Sequence, residues 1–198
     1  MLTSFIILVA TLIATVLYLA HIYNRLVTLK NRYQNGFAQI EVQLKRRYDL
    51  IPNLIATAKG YLEHEKGTLE AVVHARNSAL SMLKTASANP GDAGAIAELA
   101  KAEASLGSAI GRLNVLVEAY PDLKANETMN QLMEELSSTE NKVAFARQGF
   151  NDAVTEYNLY RQSVPPVIFA PAFGHPTDAK LLEFEDSEEI QAAPKVSF

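Results

Sequence analysis

Apolar residues recur at helical spacing along nearly the whole chain. Leu26, Leu29, Tyr33, Phe37, Ile40, Leu44, Tyr48, Ile51 and Ile55 form a first stripe. Within it Leu26, Phe37 and Tyr48, then Leu29, Ile40 and Ile51, then Tyr33, Leu44 and Ile55 repeat every eleven residues. Such a repeat is about 3.67 residues per turn, so the stripe stays on one face of a nearly straight helix. Later, Met129, Leu136, Val143, Phe150 and Tyr157 alternate with Leu132, Thr139, Ala146, Ala153 and Tyr160. That is a heptad seam in which Thr139 is the polar interruption. Leu69, Val72, Val73, Leu80 and Leu83 mark a shorter helix. Ile96, Leu99, Leu106, Ile110, Leu113, Val117 and Tyr120 mark another, rich in the small residues that permit close packing.

The pattern differs at the start. Residues 1–23 contain no Asp, Glu, Lys or Arg and are almost wholly apolar. A helix of about twenty residues matches a hydrocarbon core of roughly 30 Å. No cation precedes the run, it is longer than a signal-peptide core, and Tyr18-Leu19-Ala20 makes a poor cleavage site, so a retained anchor is expected. Tyr18, His21 and Tyr23 close it with interfacial rings. Arg25, Lys30 and Arg32 follow, which places the larger part of the chain in the cytoplasm by the positive-inside rule.

Turn chemistry divides the remainder. Asn89-Pro90-Gly91-Asp92 and Tyr120-Pro121-Asp122 are strong breaks. Asp49 with Pro52 also resembles a helix start. A reversal there would pair a rise of about 37 Å with a descent of about 58 Å, driving the second helix into the bilayer. The reversal therefore falls at Glu63–Gly67, and Pro52 becomes a kink within an unbroken stripe. The expected architecture is all-α: a transmembrane anchor at 1–23, then an up-down-up-down four-helix bundle over 24–163. Its helices are 24–63, 67–88, 94–119 and 122–163, with the first and last long, at roughly 60 Å, and a short hairpin between them at the distal end. Residues 164–198 form a Pro-rich apolar segment and an acidic tail.

Composition narrows the chemistry. The net charge of −4 resides in the last two dozen residues, where Asp178, Glu183, Glu185, Asp186, Glu188 and Glu189 face Lys180 and Lys195. The rest is balanced, so no basic surface of nucleic-acid-binding strength remains. The absence of Cys excludes disulfides and thiolate metal sites.

Several motifs resemble the LemA family. They are Gln39-Ile40-Glu41-Val42-Gln43-Leu44-Lys45-Arg46-Arg47, Asp49-Leu50-Ile51-Pro52-Asn53-Leu54, Lys59-Gly60-Tyr61 and His64-Glu65. Glu118-Ala119-Tyr120-Pro121-Asp122-Leu123-Lys124-Ala125-Asn126-Glu127, Thr139-Glu140-Asn141, Ala146-Arg147, Tyr157-Asn158 and the closing Pro194-Lys195-Val196-Ser197-Phe198 carry it further. Val164 departs from the family's pattern, which has an aromatic before Pro165. The resemblance implies a bacterial single-pass membrane protein with a four-helix domain, in a family without a settled biochemical role.

Three candidate features emerge. Lys45, Arg46 and Arg47 are consecutive and fan across roughly 200° of a helix, so they cannot all face water freely. The expected antiparallel register sets Arg46 or Arg47 opposite Glu140. That cluster reads either as a register-fixing ion-pair network or as a docking face for an acidic partner or sister subunit. His64, Glu65, Glu70 and His74 lack the paired Glu-x-x-His motifs of a bundle metal site, and read as exposed pairs. No nucleophile elbow, phosphate loop or zincin motif is present. The third feature is Val164–Phe173, where the four prolines through Pro176 forbid a helix although the stretch is strongly apolar. Its Val167, Ile168, Phe169 and Phe173 could pack on the bundle base, enter the headgroup region or bind another chain in extended form. The acidic run beyond reads as solvated, or as a lure for a basic partner.

The function expected is a membrane-anchored helical scaffold of the bacterial inner membrane, without catalytic activity or cofactor. Its expected partners are the lipid bilayer, further copies of itself as a homo-oligomer, and another envelope protein, with no nucleic acid. The alternative is an adaptor or regulatory subunit of a membrane protease or other envelope complex.

Overall fold

A computed structural model describes residues 2–184. Glu185, Asp186, Glu188, Glu189 and the closing Pro194–Phe198 motif lie outside the described residues. Among the described residues all regular structure is helical, with no strand. The helices are α1 (Leu2–Lys59), α2 (Lys66–Ala88), α3 (Ala93–Ala119), α4 (Pro121–Lys124), α5 (Glu127–Gln162) and α6 (Pro166–Phe169).

α1 is one uninterrupted helix of 58 residues. Its first part is the one described segment long and apolar enough to cross a membrane, and its side chains there are exposed. Thr11 and Thr15 return their hydroxyls to the carbonyls of Ile7 and Thr11, at 2.8 and 2.9 Å, which satisfies both donors without water. Further along, the stripe from Leu26 to Ile51 turns entirely inward. The helix passes Asp49 and Pro52 without reversing and stops at Lys59, where Gly60 and the buried Leu62 shape the turn.

α1 runs antiparallel to α5. Arg25 meets Glu156 at 2.9 Å near one end, and Arg46 meets Glu135 at 2.8 Å further up. Between them the backbones approach closely, since a Cβ on Gly36 would lie 3.2 Å from the Phe150 Cα. α2 packs against both α1 and α3. The α2–α3 turn comes back to Tyr33, whose hydroxyl would sit 2.7 Å from a Cβ on Gly91. Below that level the chain after α5 joins the core: Ala170, Ala179 and Leu182 are buried in one cluster with Ile22, Leu26 and Leu29.

Three expectations are corrected. The helix expected to reach residue 63 ends four residues early, at Lys59, and runs without a break from the apolar span before it. The helix expected over 122–163 is divided at Ala125–Asn126: Asn126 accepts from the Met129 N–H at 2.9 Å and caps a new helix, leaving α4 a single turn. The tail does contain a helical turn, α6, with Pro166 at its first position, where no N–H is needed.

Candidate functional site

The three consecutive cations separate as a helix requires, at about 100° per residue. Lys45 folds back to Glu41 on its own helix at 2.5 Å. Arg46 crosses to Glu135 of α5. Arg47 turns inward and pairs with Glu103 of α3, and the neighbouring Tyr48 hydroxyl donates to the same carboxylate. The register expectation that placed Glu140 against Arg46 or Arg47 is thus corrected. Arg46 reaches Glu135, and Arg47 is on the core face where α3 supplies the acid. Glu140, exposed on α5, is a like charge that helps to raise the Glu103 carboxyl.

This pair is buried, with 7% of the Arg47 side chain and 1% of Glu103 exposed. Burial pushes the Glu103 carboxyl up, against the opposing pull of Arg47 and Tyr48. Burial and the adjacent carboxylate also raise Tyr48 well above an ordinary phenol. The Glu103 carboxylate takes both Arg47 and Tyr48 of α1, so the arrangement ties α1 to α3 within the core.

Pro52 has a role tied to this network. Lacking an N–H, it leaves the Tyr48 carbonyl without its helical partner. Arg76 of α2 supplies one, donating from Nε at 3.1 Å. The break in the α1 ladder is thereby converted into an inter-helix hydrogen bond.

The second constellation holds the tail on α5. Arg161 donates from Nε to the His175 carbonyl at 2.9 Å, pairs with Asp178 at 2.6 Å and also bonds the Pro176 carbonyl. Asn158 makes two bonds to the backbone of Ala179, one to its carbonyl and one from its N–H, both at 2.9 Å. One heptad earlier, Asn151 treats Leu182 identically, at 3.1 and 2.9 Å. Each side-chain amide imitates a strand neighbour, satisfying a tail N–H and C=O together. The Arg147 guanidinium lies 4.3 Å from the Phe184 ring centroid. His175 is buried, with Nδ1 3.0 Å from the Tyr157 hydroxyl. Burial, with Lys30 and Arg161 nearby, lowers its pKa. Of the expected tail residues, Phe173 meets the Tyr23 ring edge-on at 5.6 Å and stacks with Phe169 at 6.2 Å, whereas Val167 and Ile168 face outward.

Open grooves lie elsewhere. One of about 700 Å³ lies along the α1–α5 seam, lined by Gly36, Gly149, Lys142 and Phe145, which is 80% exposed. Another of about 1120 Å³ lies at the distal end and includes His64, Glu70 and His74. Among the described residues no three His, Asp or Glu gather as a metal site. Glu65 instead accepts from the Tyr120 hydroxyl at 3.4 Å.

Sequence reading missed Glu103, Asn151 and Arg161, and gave Asn158 no role beyond its motif. Glu103 had a signal: it falls in phase with Leu99, Leu106 and Ile110, a charge on an apolar stripe. The heptad spacing of the two asparagines was also visible, but their target lies in a segment with no period of its own.

These motifs lie within a recognised pattern, because residues 36–198 match the LemA family. The chain belongs to the LemA family. Magnetosome protein MamQ of Magnetospirillum gryphiswaldense is 30% identical over 166 residues, covering 76% of this chain and 61% of that protein. MamQ 2 of Paramagnetospirillum magneticum is 30% identical over 170 residues, covering 78% and 62%. Protein LemA of Metamycoplasma hominis is 27% identical over 135 residues, covering 68% and 57%. The chain thus matches about three fifths of the length of these relatives. The LemA match takes in Arg47, Tyr48, Pro52, Glu103 and both tail-binding asparagines, and begins after the apolar span.

Proposed function

We propose that this LemA family member is a non-catalytic, membrane-anchored scaffold of the bacterial envelope that associates with copies of itself. In this reading its long helices form an up-down-up-down bundle standing on the cytoplasmic face of the inner membrane. The observation that carries it is the continuity of α1, which joins the apolar span to the packed helices with no linker. A bundle fused to its anchor stands at fixed height and orientation, so copies confined to one membrane present the same faces at the same level. The exposed Phe145 beside the α1–α5 groove supplies an apolar contact that such level neighbours could share.

The alternative, an adaptor for an envelope protease or other complex, is favoured by the distal groove and the exposed Tyr61 and Val73 at that end. Size-exclusion chromatography with light scattering on the full-length protein in detergent separates the two. The scaffold gives large detergent-stable assemblies formed by this chain alone, weakened by Phe145→Ser. Monomers or dimers that co-purify with a second membrane protein after crosslinking in cells would replace it with the adaptor.

A further inference from the structure

We infer that the loop after α5 is a second membrane contact, a foot that inserts Val164 and Ile168 at the headgroup–acyl boundary beside the α1 anchor. Its height is fixed by the fold. Phe173 packs on Tyr23, Ile22 is fully buried although it belongs to the apolar run, and Leu19 packs against the same core. The body of the protein therefore reaches down over the last turn of the transmembrane stretch, and the loop sits at the level where that stretch leaves the bilayer. Its outward side chains suit that level: Val164 is 80% exposed and Ile168 67%, with Val167 partly exposed between them.

Charge and backbone agree. Residues 163–177 contain no Asp, Glu, Lys or Arg, and the one titratable side chain, His175, is buried against Tyr157. Water is absent within the hydrocarbon, so a loop reaching the acyl boundary is favoured when its backbone polar groups pair internally. Pro165, Pro166, Pro171 and Pro176 have no N–H to satisfy. The N–H groups of Val167, Ile168, Ala170, Phe173, Gly174 and His175 all bond to carbonyls within the loop or at Ser163, at 2.8 to 3.2 Å. The first acidic residue, Asp178, is neutralised by Arg161. From there the tail climbs along α5 through Asn158 and Asn151 to Arg147, a rise of about 21 Å that carries Glu183 away from anionic lipid. A lipid surface continuous with the anchor fits this patch better than a protein partner, which would have to reach it through the headgroups.

Because the chain has no Cys, single-cysteine variants can report depth directly. Val164→Cys and Ile168→Cys, each labelled with an environment-sensitive fluorophore, would be reconstituted as full-length protein in phosphatidylcholine–phosphatidylglycerol vesicles. Val115→Cys on the exposed face of α3 serves as control. Circular dichroism confirms that each variant folds, and either loop position alone suffices. The expected result is blue-shifted emission at 164 and 168, quenched several-fold by shallow nitroxide lipids, with water-like emission and no quenching at 115. Water-like emission at both loop positions would overturn the foot. So would shielding unaffected by nitroxide lipids but accompanied by disulfide crosslinking between copies, which would assign the patch to a second chain.

Discussion

Glu103 is the residue on which most of the buried polar structure converges. Its carboxylate is held by Arg47 and Tyr48 in a core built mainly from aliphatic and aromatic side chains. Removing one member of such a pair strands the other charge, whereas replacing the whole group with apolar residues avoids the desolvation cost. Glu103→Gln and Arg47→Met are each expected to lower stability by about 3–5 kcal/mol. The combined Arg47→Met, Tyr48→Phe, Glu103→Leu protein should fall close to the parent. Urea unfolding of the full-length protein in detergent, followed by circular dichroism, measures the difference. A triple variant as unstable as the singles would mean that the network contributes more than mutual neutralisation. The basic cluster was legible at this scale because three consecutive cations cannot share one solvated face. Their partners were not, because Glu103 and Glu135 become neighbours only once helix registers are fixed.

At the scale of the element, α1 shows how a helix tolerates an interior proline. Pro52 forfeits one ladder bond, and Arg76 from α2 takes the freed Tyr48 carbonyl. Arg76→Ala is expected to cost about 1 kcal/mol, toward the low end of the penalty for an unsatisfied acceptor because the bond is part-buried. Adding Pro52→Ala should recover much of that loss, since an alanine there restores an N–H that can bond the Tyr48 carbonyl within the helix. Thermal unfolding of the single and double variants tests the rescue. No recovery in the double variant would show that Arg76 acts mainly through its longer contact with Asp49, at 3.9 Å. The eleven-residue stripe revealed the face of α1 and its passage through Pro52. The division between α4 and α5 was missed, although Asn126, three residues before Met129, carries the N-cap signal in the sequence.

For the whole molecule, the decisive feature is how the base is closed. The α2–α3 turn stops at Tyr33, and the tail takes over the cover of Leu26 and Ile22, held by Asn151, Asn158 and Arg161. His175 makes this closure sensitive to acid. Burial depresses its folded pKa below the ordinary 6.5, with Lys30 and Arg161 adding to the effect. Its contribution is therefore complete above pH 6.5 and is lost as pH falls through the lowered folded value. Amide exchange over residues 176–184 should accelerate between about pH 7 and pH 5 beyond the intrinsic pH trend, and His175→Gln should flatten that excess. Equal excess in both proteins would place the sensitive group elsewhere. The sequence by itself determined the apolar span, the inward face of each long helix and the main turns, because periodicity and turn chemistry are local properties. Tertiary structure alone decided which acid meets Arg47 and that a proline-rich tail is strapped along α5. Those outcomes depend on groups far apart in the chain reaching one height in the fold, and no local pattern encodes that coincidence.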